Sequence, residues 1–217
     1  IYEQLPKDFD FGKSTYYEPF IGGGAVLFGL QPSKAIINDT NEELVNLYRV
    51  IKDYPNELIE DLKKHRNEEK YFYNIRGQDR DPDKYKLLSD IERASRIIFL
   101  NKTCYNGLFR VNSQGEFNTP FGRYKNPNIV NDITIRAIHN YFANNDVQIL
   151  NQDFETVFDK IGTSSFVYFD PPYDPVSDSA NFTGYTKGGF GRKEQVRLKQ
   201  LCDELHMKGV KFLLSNS

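Results

Sequence analysis

The stretch SSFVYFDPPYDP, Ser164 to Pro175, drives four consecutive apolar residues, Phe166 to Phe169, into an aspartate, two prolines and a tyrosine. A surface turn would use the prolines, but it would need neither the ring of Tyr173 nor an apolar strand delivering the acid. Asp170 offers two acceptor oxygens. Pro171 precedes Pro172 and is thereby pushed into an extended conformation, which fixes where its carbonyl points. Neither proline carries an N–H to engage locally. Asp170 and the Pro171 carbonyl thus read as a rigid pair of acceptors suited to an amino group with two N–H donors. Tyr173 supplies a flat face beside them, on which a base gains roughly 1–3 kcal/mol by stacking. An adenine amino nitrogen is a poor nucleophile because its lone pair is delocalised into the ring. Acceptors pulling on both of its hydrogens favour a tetrahedral nitrogen with an outward lone pair. A neighbouring sulfonium methyl could then be attacked in line without prior deprotonation, with positioning and electrostatics supplying the rate. Inside a duplex that amino group is inaccessible, so the base must be flipped out.

Two further features have the residue types of a ligand site. Gly22-Gly23-Gly24 would let the backbone approach a bound group closely, and Asp39 follows the apolar run AIIN, where an acid is placed to take a ribose hydroxyl pair. FIGGGAV lacks the spacing of the dinucleotide fingerprint, which disfavours a nicotinamide cofactor.

Such residues need a frame. STYYEPFIGGGAV reads as a strand running into a glycine turn, AVLFGL as the start of a helix, SKAIINDT as a second strand and NEELVNLYRVIKDY as a helix opened by Asn41. That alternation is the signature of a parallel sheet. It resumes near the end of the chain with strand VQIL, helix FETVFDKI, strand FVYFDPPY, helix KEQVRLKQLCDELHMK and strand KFLLSNS. Between lies a stretch of another character. Helices are expected at Asn56–Lys64, Ile91–Leu100 and Ile133–Phe142, with GQDRDPDK a polar gap. CYNGLFRVNSQGEFNTPFGRYKNP reads as a β-hairpin turning at Gln114-Gly115. The expected layout is an α/β domain, residues 1–54 and 146–217, interrupted by a second domain over 55–145. In open parallel sheets ligands sit beyond the carboxyl ends of the strands, where Gly22–Gly24, Asp39 and Asp170–Tyr173 all fall.

At 217 residues, 39% hydrophobic and 27% charged, the chain is expected to fold as a globule. It has no apolar run long enough to span a membrane and no signal-peptide start. Cys104 and Cys202 give neither a disulfide framework nor metal-ligand spacing, so the simplest reading is an intracellular protein without a metal. The net charge of −2 hides two basic segments. Over 101–125, Lys102, Arg110, Arg123 and Lys125 face Glu116 alone, a net +3. Over 187–199, Lys187, Arg192, Lys193, Arg197 and Lys199 face only Glu194, a net +4. Such segments suit a face that meets a polyanion, and equally an ordinary solvated face.

On these residues the chain resembles the adenine-N6 DNA methyltransferases of the Dam type. EPFIGGGAV looks like their S-adenosylmethionine motif, INDTN like their ribose-binding acid, and DPPY like their catalytic motif. The hairpin sequence from Cys104 to Pro127 is similar over its whole length to the target-recognition hairpin of GATC-methylating members. The resemblance implies a Rossmann-like methyltransferase sheet with an inserted helical and β-hairpin DNA-recognition domain, acting on double-stranded DNA as a monomer in a bacterial or phage setting. It implies catalysis by Asp170, Pro171, Pro172 and Tyr173. It implies cofactor contacts from Glu18, Phe20, Gly22, Gly24, Asp39, Asp153, Phe154 and Asp170, with Asp153 equally able to cap the next helix. For DNA it implies a wedge from Tyr105 and Asn106, base reading by Leu108, Arg110 and Pro120, and backbone contact by Arg123; Lys102, in the basic segment, is expected on phosphate. An arginine on a hairpin suits bidentate contact with guanine in the major groove. Simple core packing is the competing account for Leu108, Phe109 and Val111.

Family members also carry an N-terminal segment that closes over the cofactor and further sheet after LLSNS. The α/β domain is therefore expected to be incomplete at both ends and its pocket open, with weak cofactor binding and little turnover. Three alternatives stay open: methylation of RNA, methylation of protein glutamine (disfavoured by aspartate at position 170), and a non-catalytic DNA-binding module. Whether the enzyme would stand alone in replication or repair, or partner a restriction nuclease, is open as well.

Overall fold

A computed structural model describes residues 4–5, 10–112, 114–158, 161–172 and 190–215. These fall into two compact units, one holding the stretch 46–140 and the other the described residues on either side of it.

The flanking unit is a five-stranded, wholly parallel sheet in the order β3-β2-β1-β4-β5. Its strands are β1 (Thr15–Glu18), β2 (Lys34–Asn38), β3 (Asp146–Leu150), β4 (Ser165–Phe169) and β5 (Lys211–Leu214). The chain moves outward from β1 to β2 and β3, then returns to lay β4 on the other side of β1. The sheet's topological switch point is therefore between β1 and β4. Parallel strands covered on both faces read as continuous apolar runs, and every residue of β4 is buried. On one face Tyr17, Val167 and Phe169 pack with Phe154, Phe158 and Leu198, Leu201 and Leu205 of α8 (Arg192–Met207). The helix after the glycine turn, α1 (Ala25–Leu30), buries Val26 and Leu27. Asn41 caps α2 (Glu42–Asp53) as its position predicts, its Oδ1 accepting the N–H groups of Glu43 at 3.1 Å and Leu44 at 3.3 Å. The expected helix FETVFDKI is described only as one 3-10 stretch, Phe154–Phe158.

The unit of residues 46–140 is built on helices α3 (Pro55–Leu62), α4 (Glu69–Arg76), α5 (Pro82–Tyr85) and α6 (Asp90–Thr103), and contains most of α7 (Asp132–Asn144). α6 opens with a capping box, Ser89 Oγ accepting from Glu92 N at 3.3 Å while Glu92 Oε2 accepts from Ser89 N at 2.8 Å. Its buried face carries Ala94, Ile97, Phe99 and Leu100, and also Arg96. The stretch read as a polar gap is largely structured. A 3-10 turn, Gly77–Arg80, continues from α4, which buries Phe72 and Ile75, and α5 follows it.

Candidate active site and recognition segment

The predicted chemical residues of the sheet unit lie at the carboxyl ends of adjacent strands. Glu18 ends β1, Asp39 follows β2, Asp153 follows β3 and Asp170 follows β4. Gly22–Gly24 form the turn between β1 and α1. Gly22 has φ 47° and Gly24 φ 69°, a region that penalises any side chain. A Cβ at Gly22 or Gly23 would meet no heavy atom within 4 Å, so the turn borders open space that a bound group could fill.

One residue absent from the expected list organises this rim. Asn38, fully buried, donates from Nδ2 to the carbonyls of Pro19 at 3.1 Å and Gln152 at 3.0 Å, while its Oδ1 accepts from Gln152 N at 3.0 Å. It therefore pins the loops after β1 and β3 to the end of β2. An asparagine closing an otherwise apolar strand was the available signal. Asp39 ties the glycine turn in turn, its Oδ2 accepting from Gly22 N at 3.1 Å and its Oδ1 from Asn41 N at 2.9 Å. Burial raises its pKa, against the backbone N–H groups of Asn41, Gly22 and Thr40 that favour the anion. Carboxylate oxygens have further lone pairs, so these bonds leave acceptor capacity toward hydroxyls.

Glu18 is buried, with 2% exposure. The Tyr16 hydroxyl donates to its Oε2 at 2.7 Å. Burial lifts its pKa to about 8, the Asp170 charge adds to this, and the Tyr16 hydroxyl and Leu27 N–H oppose it. A nearly dry carboxyl beside a second acid fits a cationic ligand group, whose charge would offset both. The raised value also has a consequence without ligand. The folded state favours the protonated form, so stability is fully present below the ordinary Glu range and is lost as pH rises through about 8. Urea midpoints across that window should fall in the wild type relative to Glu18→Gln, and a wild-type-minus-variant difference flat in pH would overturn the assignment.

Asp170 is exposed at the end of β4, followed by buried Pro171 and half-buried Pro172. Tyr173 and Lys187 lie outside the described residues. Asp153 caps the following 3-10 stretch, the alternative its position offered, and also pairs with an arginine that was not expected. Its Oδ1 accepts from Glu155 N at 3.0 Å and from Arg197 Nη2 at 2.7 Å. Arg197, on α8, also grips Glu155 at 2.7 and 3.0 Å and lies 4.8 Å over the Phe154 ring. Phe20 packs on Phe154 at 5.3 Å and edge-on against Phe190 at 5.4 Å, so Phe190 joins the two predicted aromatics.

In the other unit, the expected hairpin is present as two isolated antiparallel bridges, Val111 with Phe117 and Cys104 with Phe121, without regular strands among the described residues. Its turn is held by Asn112, whose Oδ1 accepts from Gln114 N at 3.1 Å and Glu116 N at 3.0 Å. Tyr105–Gly107 is instead a 3-10 turn, with Asn106 at φ 54°. Alternation sorts the segment. Val111, Phe117 and Thr119 are buried, while Arg110, Asn118 and Pro120 are exposed and Leu108 half-buried on the other side. Core packing is thus right for Val111, and for Phe109, which packs with the cluster of Phe72 and Phe117. Arg110 faces outward. Tyr105 is 55% exposed, Lys102 is exposed, and Arg123 is exposed within 3.6 Å of Glu69.

Among the described residues no helix is long and apolar enough to cross a membrane, and no group of three or more His, Cys, Asp or Glu side chains could hold a metal ion.

The strand order, with a glycine turn and acids at the switch point, defines a Rossmann-like methyltransferase sheet. The profile of the D12 class N6 adenine-specific DNA methyltransferases matches residues 1–217, and the chain belongs to that family of DNA-modifying enzymes. It is 48% identical over 204 residues to the Type II methyltransferase M1.LlaDCHI of Lactococcus lactis subsp. cremoris, covering 93% of this chain and 72% of the relative. Identity is 44% over 232 residues to the Type II methyltransferase M.MjaIII of Methanocaldococcus jannaschii, covering 100% of this chain and 78% of the relative. A DNA adenine methylase of Haemophilus influenzae is 33% identical over 223 residues, covering 99% of this chain and 74% of the relative.

Proposed function

We propose that the enzyme moves a methyl group from S-adenosylmethionine to the N6 amino group of a flipped adenine, with GATC as the target. The observation that carries the reading is the adjacency of the β1 and β4 ends at the switch point, which gathers Glu18, the glycine turn and Asp170 in one rim. The cofactor supplies an electrophilic methyl when bound. Glu18 suits its cationic part, Asp39 its ribose hydroxyls, and Phe20 and Phe154 its base, with Asp153 oriented by Arg197 beside them. Asp170 and the Pro171 carbonyl accept the two amino hydrogens of the target adenine, and Tyr173 stacks on its ring. The reaction needs no strong base before attack, since the proton is shed from an already positive nitrogen.

Lys102 and Arg123 are assigned to phosphates, Tyr105 and Asn106 to the opened duplex, and Leu108, Arg110 and Pro120 to base edges. The exposed position of Lys102, Tyr105, Asn106, Arg110, Pro120 and Arg123, with Leu108 half-buried among them, supports this, as does the Dam-type sequence of the segment. The domain that reads DNA is accordingly the unit of residues 46–140. The test is transfer of labelled methyl groups to duplexes that differ from GATC at one base pair, with an RNA duplex of the same sequence alongside. Label should enter only the GATC DNA. Equal labelling of every duplex would overturn the target, and preferential labelling of RNA would overturn the substrate class.

A further inference from the structure

Among the described residues, no strand covers the outer edge of the return half of the recognition segment. Asn118 N donates to Arg110 O at 2.8 Å and Asn112 N to Glu116 O at 2.9 Å, so these bonds flank the bridged pair Val111 and Phe117. In an antiparallel ladder the residues of such a pair turn their own N–H and C=O groups outward. An open edge of this kind is unsatisfied unless something takes it.

Three side chains from the end of α4 and the turn that follows it take it. Asp79 Oδ2 accepts from Phe117 N at 2.7 Å. Arg80 Nη2 donates to Phe117 O at 2.6 Å. Arg76 Nη1 donates to Thr119 O at 3.2 Å. They stand where a third strand would be, contacting the alternate residues that a strand would contact. The clamp is itself anchored. Arg96, with 2% exposure, donates from Nη2 to Asp79 Oδ2 at 2.7 Å and to Arg76 O at 2.9 Å, and from Nε to Ile75 O at 2.9 Å. Asp79 Oδ1 is paired with Arg80, whose Nε reaches Glu116 at 3.7 Å near the turn. Asn112 Nδ2 donates to the same Glu116 oxygen at 2.6 Å.

We propose that Asp79 and Arg80, anchored by Arg96, are positioning residues for sequence discrimination, setting the register of the return strand and through Asn118 the placement of Arg110. The proposal rests on the reading of residues 108–120 as the base-reading element. A side chain that reads a base edge must be held to a fraction of an ångström, and displacement by a distant residue costs rate in the cognate complex first. Neither Asp79 nor Arg80 touches DNA in this account.

The experiment compares kcat/KM on the preferred duplex with that on duplexes altered at one base pair, for Asp79→Ala, Arg80→Met, Arg80→Lys and Arg110→Ala in the full chain. Exchange of the Phe117 amide hydrogen is followed in parallel. Asp79→Ala and Arg80→Met should lower the discrimination ratio about tenfold or more, and Asp79→Ala should speed Phe117 amide exchange. Arg80→Lys, which keeps a donor, should recover part of the ratio. S-adenosylmethionine affinity should not change. An unaltered ratio, with activity falling equally on all duplexes, would overturn the proposal. Should Asp79→Ala not fold, Arg80→Met carries the same test from a partly exposed position. If Arg110→Ala also leaves the ratio unaltered, the base-reading assignment has failed. If Arg110→Ala lowers it and the clamp variants do not, only the clamp's role has failed.

Discussion

Asp170→Ala should abolish methyl transfer while leaving fold and DNA affinity largely intact. The side chain is exposed beyond β4, whose own five residues are all buried and unaffected by the change, so removing it should cost little stability. What is lost is one of two acceptors acting on the amino hydrogens. Deleting a single preorganised group of this kind elsewhere costs about 10²–10³ in turnover, and here the nucleophile itself depends on it. Single-turnover transfer to a duplex, with binding measured on the same preparation, separates the two effects. Retention of more than about a few per cent of wild-type turnover would remove Asp170 from the chemistry. A matching loss of DNA affinity would place it in substrate binding.

Arg110→Ala should relax sequence choice more than it weakens binding to unrelated DNA. Loss of a bidentate guanine contact should cost about 1–3 kcal/mol of discrimination. Lys102→Ala or Lys125→Ala should instead weaken binding to every duplex alike and flatten its dependence on salt, as phosphate contacts do. Both lysines are exposed, as Arg110 is, so exposure does not distinguish them. The distinction rests on Arg110 lying between buried Val111 and half-buried Phe109 in an alternating segment. Equal loss of affinity for GATC and unrelated duplexes in Arg110→Ala would put that guanidinium on the backbone.

The sheet was legible because parallel strands buried on both faces leave uninterrupted apolar runs, as in FVYF, and because glycines and acids follow those runs. Residues 67–80 were not. α4 buries only Phe72 and Ile75, and the rest of NEEKYFYNIRGQDR looks like solvated surface. Arg76, Asp79 and Arg80 are instead engaged with backbone groups about forty residues away in sequence, and one-dimensional spacing carries no trace of such partners. Asn38 escaped for a related reason. A buried amide serving three loop groups resembles, in sequence, any polar residue at a strand end. The recognition segment was legible as an alternation but not as regular strands, because side chains from α4 and the following turn complete its outer edge. The sequence shows Asp153 as an acid or a helix cap, but not its pairing with Arg197, which joins positions 44 residues apart.

The sheet order sets when the active site comes into being. Tyr16 pairs with Ala35 in β2, 19 residues away, and with Phe166 in β4, 150 residues away. Closing the longer loop costs roughly 2 kcal/mol more in chain entropy than closing the shorter one. Glu18 and Asp170 meet only through that late pairing, whereas the contacts within 46–140 are mostly nearer in sequence and lower in closure cost. During synthesis the unit of residues 46–140 can therefore be complete while β4 is still unmade. On the proposed assignment, such a chain would hold its recognition surface before it had any means of methylation. A compact insertion between β1 and β4 also brings their ends together at less cost than a free coil of the same length, so folding of the inserted unit should accelerate assembly of the sheet that encloses the chemistry.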